Sequence, residues 1–177
     1  MANNCFYTMK VVGDRKENIE EFISFLNYTH PSGKHFARIF SADPDPIEEN
    51  NGRYSTIIVG DCAWSVASCM TERGYYSYSK SDELICLSQA TEKLMLIVEI
   101  FSQESGMGFA EHMIYSNGSC IVDEVRDYYE LWYDPSEFNS IDEYMEAENL
   151  DLTPEQIECL EMNDYLPMGG FDEVFTI

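Results

Sequence analysis

His112-Met-Ile-Tyr-Ser-Asn-Gly-Ser-Cys-Ile-Val122 is the segment whose local structure the sequence specifies most clearly. Asn117 and Gly118 separate two runs that are rich in aromatic and β-branched residues. A two-residue type I′ turn needs positive φ angles at both central positions, and Asn and Gly adopt them most readily. The segment is therefore predicted to be a β-hairpin, and counting outward from the turn places His112 opposite Asp123.

Strands and helices alternate in the chain before this hairpin. Runs of β-branched and aromatic residues predict strands at residues 5–12, 54–59 and 94–102. Apolar residues at helical spacing predict helices at residues 16–26 and 81–94. Residues 41–52 combine two prolines with several acids, which predicts an irregular loop. The order of these elements predicts an α+β fold, in which helices cover one face of a mainly antiparallel sheet.

Negative charge is concentrated in the last third of the chain. From Asp123 to Ile177 there are seventeen Asp and Glu residues and one base, Arg126, so this part carries −16 of the total formal charge of −23. Such a field repels nucleic acid and anionic membrane surfaces, and it attracts basic proteins and cations. Direct binding to nucleic acid or to a membrane is therefore not expected.

The acidic part of the chain has the composition of a folded segment. Disordered acidic tails are poor in aromatic residues, whereas this part holds many, including Trp132. Ser140-Ile-Asp-Glu143 and Thr153-Pro-Glu-Gln156 both fit the capping box that begins a helix. The sequence thus predicts an α+β core at residues 1–126 and an acidic, mainly helical C-terminal extension at residues 127–177, packed on that core.

The first part of the chain resembles a known family. Met1-Ala-Asn-Asn-Cys-Phe-Tyr-Thr-Met-Lys-Val-Val-Gly is followed by an acidic amphipathic helix, and Val98-Glu-Ile-Phe-Ser-Gln-Glu-Ser-Gly-Met-Gly-Phe-Ala-Glu-His leads into Tyr115-Ser-Asn-Gly118. These segments resemble the YubB-like family, whose members are small proteins of plasmids, phages and related mobile elements without an established biochemical activity. The resemblance covers roughly residues 1–125.

This resemblance implies a ferredoxin-like fold for the core and supplies no catalytic residues. The match has three departures: Asn4 stands where such proteins commonly have Trp, residues 61–70 resemble the tryptophan-containing stretch of the family only loosely, and the segment from Asp127 onward has no counterpart.

Nucleotide binding and nucleophilic catalysis have weak support in the sequence. Gly106-Met-Gly108 is half of a dinucleotide fingerprint, but it lies between two predicted strands and has Glu104 and Glu111 nearby, which favours a tight turn. A Cys–His nucleophile would need a base that the fold places next to a thiol, and sequence spacing cannot show this. Cross-strand packing is the simpler interpretation of His112.

Metal sites are also weakly supported. The six cysteines contain no CxxC pair, which favours reduced, mostly buried thiols over a zinc site. No segment reproduces the Asp-x-Asp-x-Asp-Gly calcium loop, although opportunistic cation binding by the carboxylates stays open. With thirty-three acids, some carboxylate pair will always have a glycosidase-like separation, so this criterion is uninformative. No cofactor and no dedicated metal site are predicted.

The beginning of the sequence lacks a basic segment followed by an apolar run, and no apolar stretch is long enough to span a bilayer. We therefore expect a cytoplasmic protein of a bacterial host.

The charge and the helical spacing together suggest a function. A helix rises about 1.5 Å per residue, so carboxylates three or four residues apart stand roughly 5 Å from each other, as in Glu143 and Glu146 or Glu155 and Glu158. Such a row could mimic the phosphates of one nucleic-acid strand. The extension therefore resembles a DNA-mimicking anti-CRISPR protein, and the expected partner is a basic nucleic-acid-binding protein such as a CRISPR effector nuclease.

The residues predicted to bind this partner are acidic or aromatic and lie in the extension. They are Asp127, Glu130, Trp132, Asp134, Glu137, Asp142, Glu143, Glu146, Glu148, Glu155, Glu158 and Glu161. Two alternatives stay open: an interaction module of a plasmid or phage whose charge serves solubility, and a small cation-dependent hydrolase. A non-enzymatic role is favoured, and a small-molecule substrate is not expected.

Overall fold

One antiparallel sheet organises the molecule, which a computed structural model describes at residues 3–78, 81–162 and 165–177. Strands account for 39% of the structure and helices for 25%, and the sheet curls into a half-barrel. Its strands are β1 (Asn4–Gly13), β2 (Ile39–Pro44), β3 (Glu48–Asn50), β4 (Arg53–Ala63), β5 (Leu96–Glu104), β6 (Phe109–Ser116), β7 (Ser119–Leu131) and β8 (Leu166–Gly169). The helices are α1 (Lys16–Leu26), α2 (Val66–Met70), α3 (Tyr75–Tyr78), α4 (Leu87–Leu94), α5 (Ile141–Glu148) and α6 (Pro154–Glu161).

The strands neighbour one another in the order β2-β4-β1-β5-β6-β7-β8. In addition, β3 pairs with the first three residues of β4. β1 lies at the centre of the first half of the sheet, between β4 and β5. Alternate residues of β1, from Cys5 to Val11, are buried in the main core because successive side chains of a strand point to opposite faces. α1 covers this face with Ile19, Phe22 and its other buried apolar residues. The predicted bounds of α1 are confirmed.

The predicted hairpin is confirmed at its turn but not in its register. Asn117 and Gly118 have φ angles of 46° and 88°, as a type I′ turn requires. Beyond the turn, the register shifts by one residue at Ile121, which is an exposed β-bulge position. His112 therefore lies opposite Glu124, and the predicted pairing with Asp123 is wrong.

The prediction of a ferredoxin-like fold with an acidic, mainly helical extension is wrong. β7 continues the sheet for thirteen residues after the Asn-Gly turn; its residues 119–127 pair with β6, and its last four residues pair with β8. The acidic segment, residues 127–177, therefore joins the sheet through the end of β7 and through β8. Acidic residues have low strand propensity, and pairing with a neighbouring strand overrides that preference here.

The predicted division of the chain at residues 126 and 127 stays a prediction, and both residues lie within β7. Residues 41–52, predicted as a loop, instead contain β3 and most of β2. β2 is an edge strand, where Pro44 does not interrupt a hydrogen-bonded ladder on both sides.

A second hydrophobic core holds the acidic segment together. Its buried members come from α5, α6, β8 and the α5–α6 connection: Ile141, Tyr144, Leu152, Leu160 and Leu166. The capping box predicted at Thr153 is confirmed, because its hydroxyl accepts from the N–H of Gln156 and the Gln156 side chain accepts from the N–H of Thr153. These contacts form folded helices within the acidic segment.

Residues 171–177 cross the face of the sheet that α1 leaves uncovered. The ring of Phe175 lies 5.5 Å from that of Phe101 on β5. Beside it, the carboxylate of Glu99 accepts hydrogen bonds from the backbone N–H of Thr176 at 2.6 Å and of Ile177 at 3.2 Å. His112 Nε2 lies 2.9 Å from the other carboxylate oxygen. Glu99 is 0% exposed, so its charge is buried but hydrogen-bonded.

None of the described helices has the length and apolar character needed to cross a membrane.

Glu99→Ala tests the role of this carboxylate. The substitution removes the acceptor for the amides of Thr176 and Ile177, and we expect the free energy of unfolding to fall by about 2 kcal/mol. Hydrogen exchange at these two amides should accelerate. Urea denaturation and amide exchange measure the two effects.

Glu124→Ala is the matched control. Glu124 lies on the same sheet, but its side chain is exposed and its only ion pair among the described residues is a 3.7 Å contact with the guanidinium of Arg126. Its loss should cost less than about 0.5 kcal/mol. Equal effects of the two substitutions would show that Glu99 does not hold residues 171–177 to the sheet.

Candidate protein-binding surface

The residues predicted to bind a partner lie on four consecutive parts of the acidic segment. Asp127 and Glu130 are on β7, and the loop that follows holds Trp132, Asp134 and Glu137. α5 carries Asp142, Glu143, Glu146 and Glu148, and α6 carries Glu155, Glu158 and Glu161. All are exposed except Asp134, which is half-buried. The second core therefore holds the backbone in place while the charged side chains face solvent.

The negative charge of this segment has no counter-charge within it. Residues 127–177 contain fifteen acids and no Lys, Arg or His. None of the predicted partner-binding acids takes part in an ion pair within the described part of the chain. Arg126, the last base, is engaged elsewhere: it stacks on Phe171 at 4.2 Å and pairs with Glu124. Within the described part of the chain, these carboxylates therefore lack a paired base, and solvent ions screen them.

A groove brings five of the predicted residues together. It has a cavity volume of about 330 Å³ and lies between the end of β7, the loop after it, and α5. Its apolar lining comes from Leu131, Phe138 and Tyr144, which also belong to the second core. The predicted residues that line it are Glu130, Trp132, Asp134, Glu137 and Glu148. We call this feature the acidic groove.

Hydrogen bonds fix some of the groove's carboxylates. Tyr128 donates its hydroxyl to Glu130 Oε1 at 3.1 Å, and burial, together with the charge of Glu130, raises the pKa of Tyr128 to about 12. Asp134 Oδ1 accepts from the N–H of Ser136 at 2.8 Å. Hydrogen bonds from the side chain and the backbone of Ser136 lower the pKa of Asp134. Asp134 is therefore an anion at neutral pH.

Tyr144 and Glu148 are close enough to influence each other. Burial is the main cause that raises the pKa of the Tyr144 hydroxyl, and the negative charge of Glu148 raises it further. The ring of Tyr144 also meets that of Phe138 edge to face, with 5.1 Å between centroids. Aromatic rings and a carboxylate thus share one wall of the acidic groove.

The acids of α6 lie outside the acidic groove. Glu155, Glu158 and Glu161 are exposed on a helix whose apolar residues face the second core, and they do not line the acidic groove. On α5, Glu143 Oε2 accepts from both nitrogens of Asn139, and these bonds lower the pKa of Glu143. The two helices supply solvent-facing charge around the groove.

The buried carboxylates elsewhere are engaged in structural hydrogen bonds. Glu111 accepts from the N–H of Val66 at 2.8 Å and from Ser102 Oγ at 2.7 Å, so it satisfies the first turn of α2. Burial raises the pKa of Glu111. Glu104 accepts from the N–H of Gly106 and of Met107 in the turn between β5 and β6. The tight turn predicted there is confirmed. The carboxylate of Glu104 accepts the hydrogen bonds of the amides that a bound phosphate would need.

The remaining candidates from the sequence have structural partners. The ring of His112 stacks on Phe101 at 4.4 Å and bonds to Glu99, which confirms cross-strand packing. All six cysteines are free thiols, and four of them are buried. Within the described ranges, no group of three or more His, Cys, Asp or Glu side chains is arranged to hold a metal ion.

Comparisons with known proteins give no relative: no family model, curated protein or solved structure matches this chain. The resemblance to the YubB-like family therefore stays a prediction that rests on the segments quoted above.

Sequence reasoning missed two features of the structure. The apolar lining of the groove was not predicted, because Leu131, Phe138 and Tyr144 come from β7, the loop after it and α5, and only the folded chain brings them together. The role of Glu99 was also missed, although a lone acid within the apolar residues 96–101 was a signal for a buried carboxylate.

Thr153→Ala tests whether the acidic segment is folded without a partner. Loss of the capping hydroxyl should cost about 1 kcal/mol of local helix stability, so amides of α6 should exchange about fivefold faster while those of α1 stay unchanged. Hydrogen exchange of the free protein measures this. Thr29→Ala, at an exposed threonine that caps no described helix, should leave α6 unaffected. Unprotected α6 amides in the unsubstituted protein would show that the segment is unfolded when free.

Proposed function

We propose that this protein is a non-enzymatic binding protein that occupies the basic nucleic-acid channel of another protein. One observation carries the proposal: a folded segment displays fifteen acids without a single base of its own. Because like charges repel, concentrating them on one surface costs folding free energy. A binding role for that charge accounts for the cost better than solubility, which charges spread over the whole surface would also provide.

The form of the surface supports competition with nucleic acid. Channels that hold nucleic acid are positively charged and recognise the backbone through its charge and shape. Exposed carboxylates on α5 and α6, held by a hydrophobic core, present charge in fixed positions. Trp132, 47% exposed beside them, adds the kind of aromatic contact that stabilises protein interfaces.

The partner class is inferred from the charge, and the family resemblance suggests a candidate target. A basic nucleic-acid-binding protein fits the surface. Because the first part of the chain resembles proteins of mobile elements, a bacterial defence protein such as a CRISPR effector nuclease is the leading candidate target. The protein would then act as an anti-CRISPR inhibitor in the bacterial cytoplasm.

Charge reversal tests this proposal. A variant with four exposed acids of α5 and α6 changed to Lys should lose binding to its basic partner by at least about a hundredfold, because attraction becomes repulsion. The substitutions are Glu143→Lys, Glu146→Lys, Glu155→Lys and Glu158→Lys. Partners are captured from bacterial lysate and the affinity of the captured protein is then measured by calorimetry.

The control variant changes the net charge by the same amount at exposed acids outside the acidic segment. Its substitutions are Glu48→Lys, Glu49→Lys, Asp82→Lys and Glu83→Lys. This variant should keep most of the affinity. Binding of the unsubstituted protein should also weaken from 0.15 M to 1 M salt, as the Debye length falls from about 8 Å to about 3 Å. Affinity that is insensitive both to charge reversal and to salt would overturn the proposal.

A further inference from the structure

We propose that the acidic groove is a subsite for an arginine side chain of the basic partner. This inference rests on the proposed function, since it assumes a basic protein ligand, and it adds which side chain is bound and where. The occupant follows from two properties of the groove: its combination of an apolar lining with carboxylates, and the lack of any Lys, Arg or His in residues 127–177.

The groove has the lining that a long cationic side chain requires. The methylene groups of such a side chain need apolar contacts, and Leu131, Phe138 and Tyr144 provide them. Trp132 lines the same cavity and is half-exposed, so part of its indole is accessible to a cation, although the ring of Tyr165 lies 6.5 Å from it. Indole is the aromatic group that attracts cations most strongly.

Charge complementarity determines the class of occupant. Glu130, Asp134, Glu137 and Glu148 line a cavity of about 330 Å³. Residues 127–177 contain no base, and Arg126 is held by Phe171 and Glu124. The four carboxylates therefore lack a cation from their own segment, and a cationic group from another molecule would relieve their mutual repulsion.

The same geometry favours arginine over lysine. A guanidinium is planar, donates up to five hydrogen bonds in a fixed fork, pairs bidentately with carboxylates and stacks on aromatic faces. Carboxylates together with an indole match all of these properties. An ammonium group is a compact, strongly hydrated charge, and it would lose more hydration on entering an apolar-lined groove.

Parts of the groove are ordered before any ligand arrives. Asp134 is hydrogen-bonded to Ser136, Glu130 accepts from Tyr128, and the rings of Phe138 and Tyr144 pack edge to face. Ordering these groups in advance lowers the entropy lost on binding. Glu137 and Glu148, which line the groove from the loop and from α5, provide the charges that can be neutralised with least disturbance of these contacts.

The test uses the full chain, labelled with ¹⁵N, and two peptide probes of equal charge, hexa-arginine and hexa-lysine, at the same low salt. Hexa-arginine should shift the indole N–H resonance of Trp132 and bind about fivefold or more tightly than hexa-lysine. Trp132→Phe assigns that resonance, because Trp64 is the only other tryptophan. Trp132→Ala should remove the preference for arginine, and thermal denaturation confirms that the variant stays folded.

Two double variants with equal charge changes separate the groove from the general field. Glu137→Gln with Glu148→Gln, inside the groove, should weaken binding of hexa-arginine by about tenfold and abolish its advantage over hexa-lysine. Glu155→Gln with Glu158→Gln, on α6 and outside the groove, should weaken both peptides by about twofold only.

The outcomes distinguish the inference from the proposed function. Equal losses from the two double variants, or equal affinity for both peptides with an unshifted Trp132 resonance, would overturn the arginine subsite while leaving an acidic surface that binds cations. Failure of both peptides to bind at low salt would overturn the subsite and the proposed function together.

Discussion

The buried carboxylate of Glu99 is the interaction on which the placement of the acidic segment depends. Glu99 lies in the middle of β5, and one of its carboxylate oxygens accepts hydrogen bonds from the backbone N–H groups of Thr176 and Ile177. Its other oxygen is hydrogen-bonded to His112. At the opposite end of the segment, β7 is hydrogen-bonded to β6 through eight residue pairs. The acidic residues between these two points therefore belong to a segment that is fixed to the sheet at both ends.

Between these attachments, hydrophobic packing opposes electrostatic repulsion. The second core gathers apolar side chains from β7, β8, α5 and α6, and this leaves the carboxylates on the outside. Burial of each large apolar side chain contributes about 1.5–3 kcal/mol, whereas repulsion between exposed charges in water is weak and screened. The segment can therefore stay folded while carrying its charge unpaired. Such a surface would be preorganised for the basic partner that we propose, because its charges do not have to be gathered on binding.

Local signals in the sequence were sufficient for some elements of the fold. The Asn117-Gly118 turn, the apolar face of α1 and the capping box at Thr153 each depend on a few neighbouring residues, and all are present in the structure. The predicted pairing of His112 with Asp123 was wrong for a local reason too. The bulge at Ile121 adds one residue to β7, and counting outward from the turn does not predict it. These elements were predictable because their causes lie within a few positions of the chain.

The acidic segment was harder to predict because its structure depends on distant partners. Acidic, tyrosine-rich β7 becomes a strand only through pairing with β6 and β8, and β8 lies about thirty-five residues further along the chain. The predicted acids were placed on the surface, but the acidic groove could not be foreseen, since its lining combines residues of β7, of the loop after it and of α5.

Competition for the captured partner tests the account most directly. The partner is loaded with fluorescently labelled nucleic acid, this protein is added, and the fluorescence anisotropy of the nucleic acid is followed at fixed salt. The account predicts that anisotropy falls to the value of free nucleic acid, and that the required protein concentration rises in proportion to the nucleic acid present. A ternary complex, in which the partner holds the protein and the nucleic acid simultaneously with undiminished affinity, would contradict it.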